Sequence, residues 1–176
     1  MRLIVLSLLI CFMGVAATDV CAAGRNRRAR NKHSVGGGAH YYKTVDDVKL
    51  DNVEEDGLGW FASYQYHDGE SGAFEFDLEA MPSGFAGATN DVYAPQFYLI
   101  SSGGVYGGLG IGWFYSDGEW ADDPFYAVRF GINYELSKGL KLDINGNYRF
   151  TKWDTDITQD LDTDTVTLAV ALRLDL

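Results

Sequence analysis

Over its last third the chain alternates, residue by residue, between large apolar side chains and small or polar ones. In 125–136 the even positions are Tyr126, Val128, Phe130, Ile132, Tyr134 and Leu136; in 140–151 they are Leu140, Leu142, Ile144, Gly146, Tyr148 and Phe150; in 165–176 they are Val166, Leu168, Val170, Leu172, Leu174 and Leu176. Of these 18 positions 17 are large and apolar, and the odd positions between them hold Arg129, Asn133, Glu135, Lys141, Asp143, Asn145, Asn147, Arg149, Arg173 and Asp175. A period of two sends successive side chains to opposite faces of a strand, whereas a helix needs a period of 3.6. Earlier stretches repeat the pattern: Phe74, Phe76 and Leu78 alternate with Glu75, Asp77 and Glu79, and Val105, Leu109, Ile111 and Trp113 with Tyr106, Gly108, Gly110 and Gly112. Gly, Asp, Ser and Pro clusters punctuate the stretches, so everything from Gly57 onward reads as strands and turns.

Alternation alone does not say which face is enclosed; volume does. The interior of an eight-stranded barrel is just wide enough to be filled by side chains, so it accepts the face rich in Gly, Ala, Ser and Asn and not the face of Leu, Phe, Tyr and Trp. The bulky face therefore points outward, where only hydrocarbon accepts it. The connections alternate too: short at 68–71, long at 82–91, short at 101–104, longer at 116–124, short at 137–139 and long at 153–164. That is the pattern of a membrane barrel with tight periplasmic turns and longer outer loops. Seven strands are visible, and a barrel with both ends on one side needs an even number, so parity calls for one more strand, at 41–50. The predicted fold is all-β: an eight-stranded antiparallel up-and-down transmembrane β-barrel over 41–176.

Residues 1–23 have the form of a signal peptide, with Arg2 ahead of an apolar run too short to span a bilayer as a helix and small residues near Ala22 and Ala23. Both cysteines, Cys11 and Cys21, fall in this leader, so the exported chain depends on neither a disulfide nor a Cys-ligated metal. Residues 24–40 read as a basic flexible periplasmic arm: 24–43 carry six Lys/Arg and no acid, against 24 acids and seven bases in 44–176. His33 and His40 fall in that arm, and with His67 they are the only histidines.

With strand direction set, Trp60, Trp113, Tyr115, Tyr126 and Tyr148 fall near the outer strand ends and Tyr64, Tyr66 and Tyr134 near the periplasmic ends, with Leu109, Ile111, Ile132 and Ile144 between. Two aromatic girdles around an aliphatic belt are what headgroup-level rings produce. The stretch VYGGLGIGWFYSDGEW, followed by FYAVRFGINYELSKGLKLDINGNYRF and a last strand ending on Leu176, resembles the small outer-membrane β-barrel superfamily that includes OmpA-, OmpX- and OmpW-like proteins. The resemblance implies a place in the outer membrane of a diderm bacterium, with outer-membrane lipid and the barrel assembly machinery as partners. Such proteins usually finish on Phe or Trp, and this chain departs from that pattern. A monomer without cofactor, metal or nucleic acid is expected.

For function, the enclosed face offers a charge network of Glu75, Asp77, Glu79, Arg129, Glu135, Lys141, Asp143, Arg149 and Arg173, which must pair inside a narrow lumen. This predicts a lumen plugged by charged side chains, and a structural or interaction role through acidic extracellular loops; a narrow channel or small-solute porin is the alternative. The spaced aspartates of WDTDITQDLDTD suggest calcium ligands but lack the Gly turn and terminal Glu of an EF-hand loop. The outer loops contain no His for a Ser/His/acid set, which argues against an enzymatic barrel. A soluble lipocalin-like barrel binding an apolar ligand would place the two faces the other way round.

Overall fold

Each alternating stretch forms a strand, since a two-residue period can bury one face only in a pleated sheet. A computed structural model of the chain describes residues 32–45, 54–68, 72–85, 87–150, 153–155, 158–161 and 164–176. Its long strands are β1 (His33–Thr44), β2 (Asp56–His67), β3 (Gly72–Met81), β4 (Val92–Ser101), β5 (Val105–Gly112), β6 (Phe125–Ser137), β7 (Leu140–Phe150) and β8 (Thr165–Asp175). Each pairs antiparallel with the next, and β8 closes on β1 from Ser34↔Asp175 to Thr44↔Thr165. The ring has no free edge, so every strand finds backbone partners on both sides. Short connections follow β2, β4 and β6, and the longer connections cluster at the opposite end.

Two of the long connections carry their own hairpins. Tyr115–Ser116 pairs with Glu119–Trp120 around Asp117 (φ 56°) and Gly118 (φ 90°), the two left-handed residues that a two-residue hairpin turn requires. Tyr115 also pairs with Tyr93 of β4, so the hairpin continues the barrel wall above Gly112, where β5 stops. Trp153–Thr155 pairs with Thr158–Leu161 in the connection between β7 and β8.

The first strand departs from the sequence expectation. It spans His33–Thr44 in place of 41–50, so the barrel begins eight residues earlier and the arm expected over 24–40 gives up its last residues to the wall. His33 and His40 are therefore strand residues; 1–31 lie outside the described residues. The reason is composition: β1 presents Gly37 and Ala39 outward between Val35 and Tyr41, which hides the alternation. Asp46 and Asp47, which break both faces of 41–50, lie beyond the strand's end and outside the described residues.

The register fixes the dimensions. Directly opposed residues can be followed once round the ring, from Thr165 through Arg149, Ala127, Gly110, Tyr98, Glu75, Gln65 and Ser34, returning to β8 at Asp175. The return is ten residues below the start (165 to 175), a shear of 10 for eight strands. With strands about 4.8 Å apart and rising about 3.3 Å per residue, that shear tilts them by roughly 40° and sets a backbone radius of roughly 8 Å. Ten tilted residues then span about 25 Å, the height of the apolar band of a membrane barrel.

The outer surface is that band. Leu168 is 60 % exposed and Leu172 53 %, in an unbroken outward row with Val166, Val170 and Leu174, while Asp143 and Arg149 on the other face are fully buried. Leu58, Leu99, Leu109, Ile132 and Ile144 continue the row around the wall. An apolar surface on this scale is unsustainable in water and ordinary in hydrocarbon. On the β3–β4 sector the belt is aromatic as well as aliphatic, with Phe76 and Phe97 packed at 5.0 Å between ring centroids.

Inside, the small-residue face also encloses rings that the volume argument did not foresee: Tyr42, Phe61, Tyr98, Tyr106 and Phe125 are all buried. They fit because most lie over a glycine on another strand: Tyr42 over Gly57, Tyr98 over Gly110, Phe125 over Gly112, Tyr106 over Gly131, and the His40 imidazole over Gly59. A β-carbon at any of these glycines would overlap the ring. Gly131→Val should therefore lower the unfolding free energy of the refolded barrel by about 1–3 kcal/mol through overpacking. Gly104→Ala, at an open position with ordinary φ, should change it by less than about 0.5 kcal/mol. Urea titration in lipid vesicles followed by tryptophan fluorescence measures both.

Candidate functional site

The lumen's chemistry follows from ring order. In a closed ring of eight, β3 and β7 are four steps apart and face each other across the diameter. β3 contributes Glu75, Asp77 and Glu79, all buried, and the strands opposite contribute Arg129 (β6), Arg149 (β7) and Arg173 (β8). Across roughly 16 Å of backbone separation, only long side chains meet, and the guanidinium fork suits paired carboxylates where a strongly hydrated ammonium does not.

Three linked contacts result. Arg129 donates to Glu75 Oε1 at 2.5 Å, to Asp77 Oδ2 at 2.7 Å and, through Nε, to Asn147 Oδ1 at 2.6 Å, with its guanidinium 3.7 Å above the Tyr98 ring. Arg149 crosses the lumen to hold both oxygens of Glu79 at 2.5 and 2.6 Å. Arg173 donates to Asp143 Oδ2 at 2.9 Å and to Ser63 Oγ at 3.2 Å, and lies 3.4 Å from Glu75. Around these, Tyr106 donates to Asp143 at 2.8 Å, Gln65 donates to Glu75, and Asn147 donates to Thr167 at 2.9 Å and to Asn145 at 3.3 Å. Glu75 thus joins the Arg129 and Arg173 clusters, and four carboxylates meet three guanidiniums, with His40 Nε2 3.9 Å from Glu79.

Two residues expected in this network stand elsewhere. Glu135 is exposed: it pairs with Lys141 at the rim of the tight-turn end, just before a bulge between Glu135 and Ser137. Lys141 is half-buried at the same rim and pairs with Asp175 at 2.7 Å, apart from the central cluster. The three central cations are all arginine and the lysine is at the edge, as their hydration dictates.

The rings expected in two girdles are divided in exposure. Trp60, Tyr64, Tyr126 and Tyr134 are exposed on the outer wall, and Tyr66, Trp113, Tyr115 and Tyr148 are half-buried at the strand ends or just beyond. Several tyrosine hydroxyls reach loop or rim groups: Tyr41 donates to Asp56 and Tyr148 to Asp164, each at 2.5 Å, at the long-loop end, and Tyr64 lies 2.7 Å from His33 Nδ1 at the other. Such amphipathic rings fit a boundary between hydrocarbon and water.

Sequence reasoning missed the layer above the charges. Phe85, from the connection between β3 and β4, is fully buried with Tyr42, Met81, Ala88, Val92, Ala94 and Phe125, and half-buried Phe114 packs against the cluster. The rings interlock, with Tyr42 edge-on to Phe85 at 4.9 Å and Phe114 stacked on Phe125 at 4.6 Å. Tyr42, Met81, Val92, Ala94 and Phe125 are inward-facing strand residues; Phe85, Ala88 and Phe114 come from loops, where alternation carries no information. The side chains of the spaced aspartates from Asp154 to Asp162 lie outside the described residues. Among the described residues no cluster of three or more His, Cys, Asp or Glu is arranged to hold a metal ion.

Removing one partner of a buried pair strands the other, a loss of about 3–5 kcal/mol, whereas removing both is far milder. Arg149→Met should therefore lower the melting temperature of the detergent-solubilised barrel markedly, and Arg149→Met with Glu79→Gln should recover much of the loss. Lys141→Met, at the wet rim, should shift it little.

No family model matches the sequence, and no curated protein does. Among solved structures, the chain is similar to neisserial surface protein A, at a TM-score of 0.60 and 15 % identity over 85 % of this chain and 100 % of that one. It is also similar to the outer membrane protein OprG of Pseudomonas aeruginosa, at 0.51 and 13 % over 84 % and 98 %. The chain shares with these bacterial proteins the closed eight-stranded fold of small outer-membrane β-barrels.

Proposed function

We propose that the protein is an integral component of a bacterial outer membrane that acts through its acidic long-loop end, and that its lumen is a plug and not a conduit. The observation that carries the reading is the set of three buried arginines, Arg129, Arg149 and Arg173, bonded across a barrel of roughly 8 Å radius. Side chains joined over that diameter occupy the cross-section a solute would need, and the Phe85 layer covers them from above. Exposed Asp117, Glu119, Asp122 and Asp123 give the long-loop end a negative face. The tie between the loops is in place at neutral pH: hydrogen bonds from Asn90 and Thr89 hold the Asp117 carboxyl below the ordinary carboxylate range, so the tie is lost only as pH falls through that lowered value. A basic partner suits this face, and the chain acts as a monomer seated in lipid, without catalytic chemistry.

Planar-bilayer recordings on the reconstituted barrel should show no stepwise conductance, and steady channel-like steps would overturn the plug. In the same preparation, oligolysine should bind the wild type and bind several-fold more weakly after Asp117, Glu119, Asp122 and Asp123 are changed to their amides, with the difference shrinking at high salt.

A further inference from the structure

One recess at the long-loop end belongs neither to the lumen nor to the acidic face as a whole. The connection between β3 and β4 and the Tyr115–Trp120 hairpin enclose an open cavity of about 530 Å³, within the range of small-molecule sites. Ser83, Asn90, Asp91 and Tyr93 line it from one side and Tyr115 and Asp117 from the other. It is held in shape by bonds between its walls. Thr89 Oγ1 donates to Asp117 Oδ1 at 2.9 Å, Asn90 donates to the same oxygen, Ser116 Oγ reaches Asp91 O at 3.3 Å, and the Ser83 amide donates to Asp91 Oδ1 at 3.2 Å. The Ser83 bond loads Asp91 Oδ1 and leaves Asp91 Oδ2 without a partner among the described residues, and Asp117 Oδ2 lies 3.4 Å from Ser116 Oγ.

The lining selects its occupant. Among the described residues the lining has no lysine or arginine and two carboxylates, which turns away phosphate and sulfate. The same carboxylates accept hydrogen bonds from hydroxyls, while tyrosine rings offer apolar faces beside them. A neutral sugar ring, apolar on its C–H face and hydroxylated around its edge, matches both. Position narrows the source. Tyr93 is 44 % exposed on the outward wall, its cross-strand partner is Tyr115, and Trp120 packs 5.0 Å from Tyr115, so the recess lies beside a row of rings at headgroup height.

We propose that this recess binds a neutral hexose borne as the headgroup of a lipid in the leaflet that meets the long-loop end, an inference that rests on the barrel's insertion in a membrane. The test reconstitutes the full chain in phosphatidylcholine nanodiscs doped with monoglucosyl diacylglycerol or with phosphatidylglycerol, and counts co-released lipid adducts by native mass spectrometry. Wild type should retain the glucolipid over phosphatidylglycerol by about tenfold, and Tyr93→Leu and Asp91→Leu should each remove most of that preference. Heat-modifiable gel migration confirms that each variant is folded. Equal retention of the two lipids by wild type, or an undiminished preference in both folded variants, would overturn the site; so would methyl glucoside displacing the glucolipid at equal concentration, which points to a free-sugar site. A chain that fails to enter nanodiscs at all overturns the membrane reading, a result distinct from entry without preference.

Discussion

The structure depends on a sheet closed at a shear of 10 with its charges inside and its hydrocarbon outside. In lipid every backbone group needs a partner within the protein, and ring closure provides them. Closure at that shear also fixes a narrow interior, so any charge placed there must be answered from another wall. The acids of β3 and the arginines of β6, β7 and β8 are that answer. An isolated ion pair in such a place is weak evidence of stability, because desolvation offsets the attraction. Here the pairs share partners, with Glu75 touching Arg129 and Arg173 and Asp143 touching Arg173 and Tyr106. The network fixes which side chains fill the cross-section.

The two ends of the lumen are built differently, and the difference bears on how the charges are held. Toward the tight turns the interior ends in a half-buried rim, where Lys141 and Asp175 meet partial solvent. Toward the long loops it ends in packed rings, and Phe85 and Phe114 arrive from segments tied to each other through Asp117, Asn90 and Thr89. Arg149 and Glu79 sit just under those rings, with the guanidinium 5.3 Å from Phe125. Both are buried, and in a low dielectric the contact of one guanidinium nitrogen with both carboxylate oxygens is strengthened.

Much of this was legible in the residues, and the failures have physical causes. β6, β7 and β8 could be read strand by strand because their outward positions are almost all large and apolar. β1 could not, because Gly37 and Ala39 look outward and glycine advertises neither face. The polar column Glu75–Asp77–Glu79 and the arginines opposite were visible as types on a face, but which acid meets which base depends on shear, a property of register that no single strand encodes. Glu135 has the parity of a lumen residue and fails because its position along β6, opposite Lys141, is already at the rim. The loop part of the apolar lid, Phe85, Ala88 and Phe114, was invisible because loop residues obey no period.

The rings that lie over glycines carry a consequence for how this wall can change over generations. Tyr106 occupies the space that a side chain at position 131 would need, and Tyr98 does the same for position 110. Substitutions at such coupled sites are ordered: a smaller residue at 106 opens position 131 to alteration, whereas the reverse sequence passes through an overfilled intermediate. Each glycine and the ring above it form one heritable unit split between two strands.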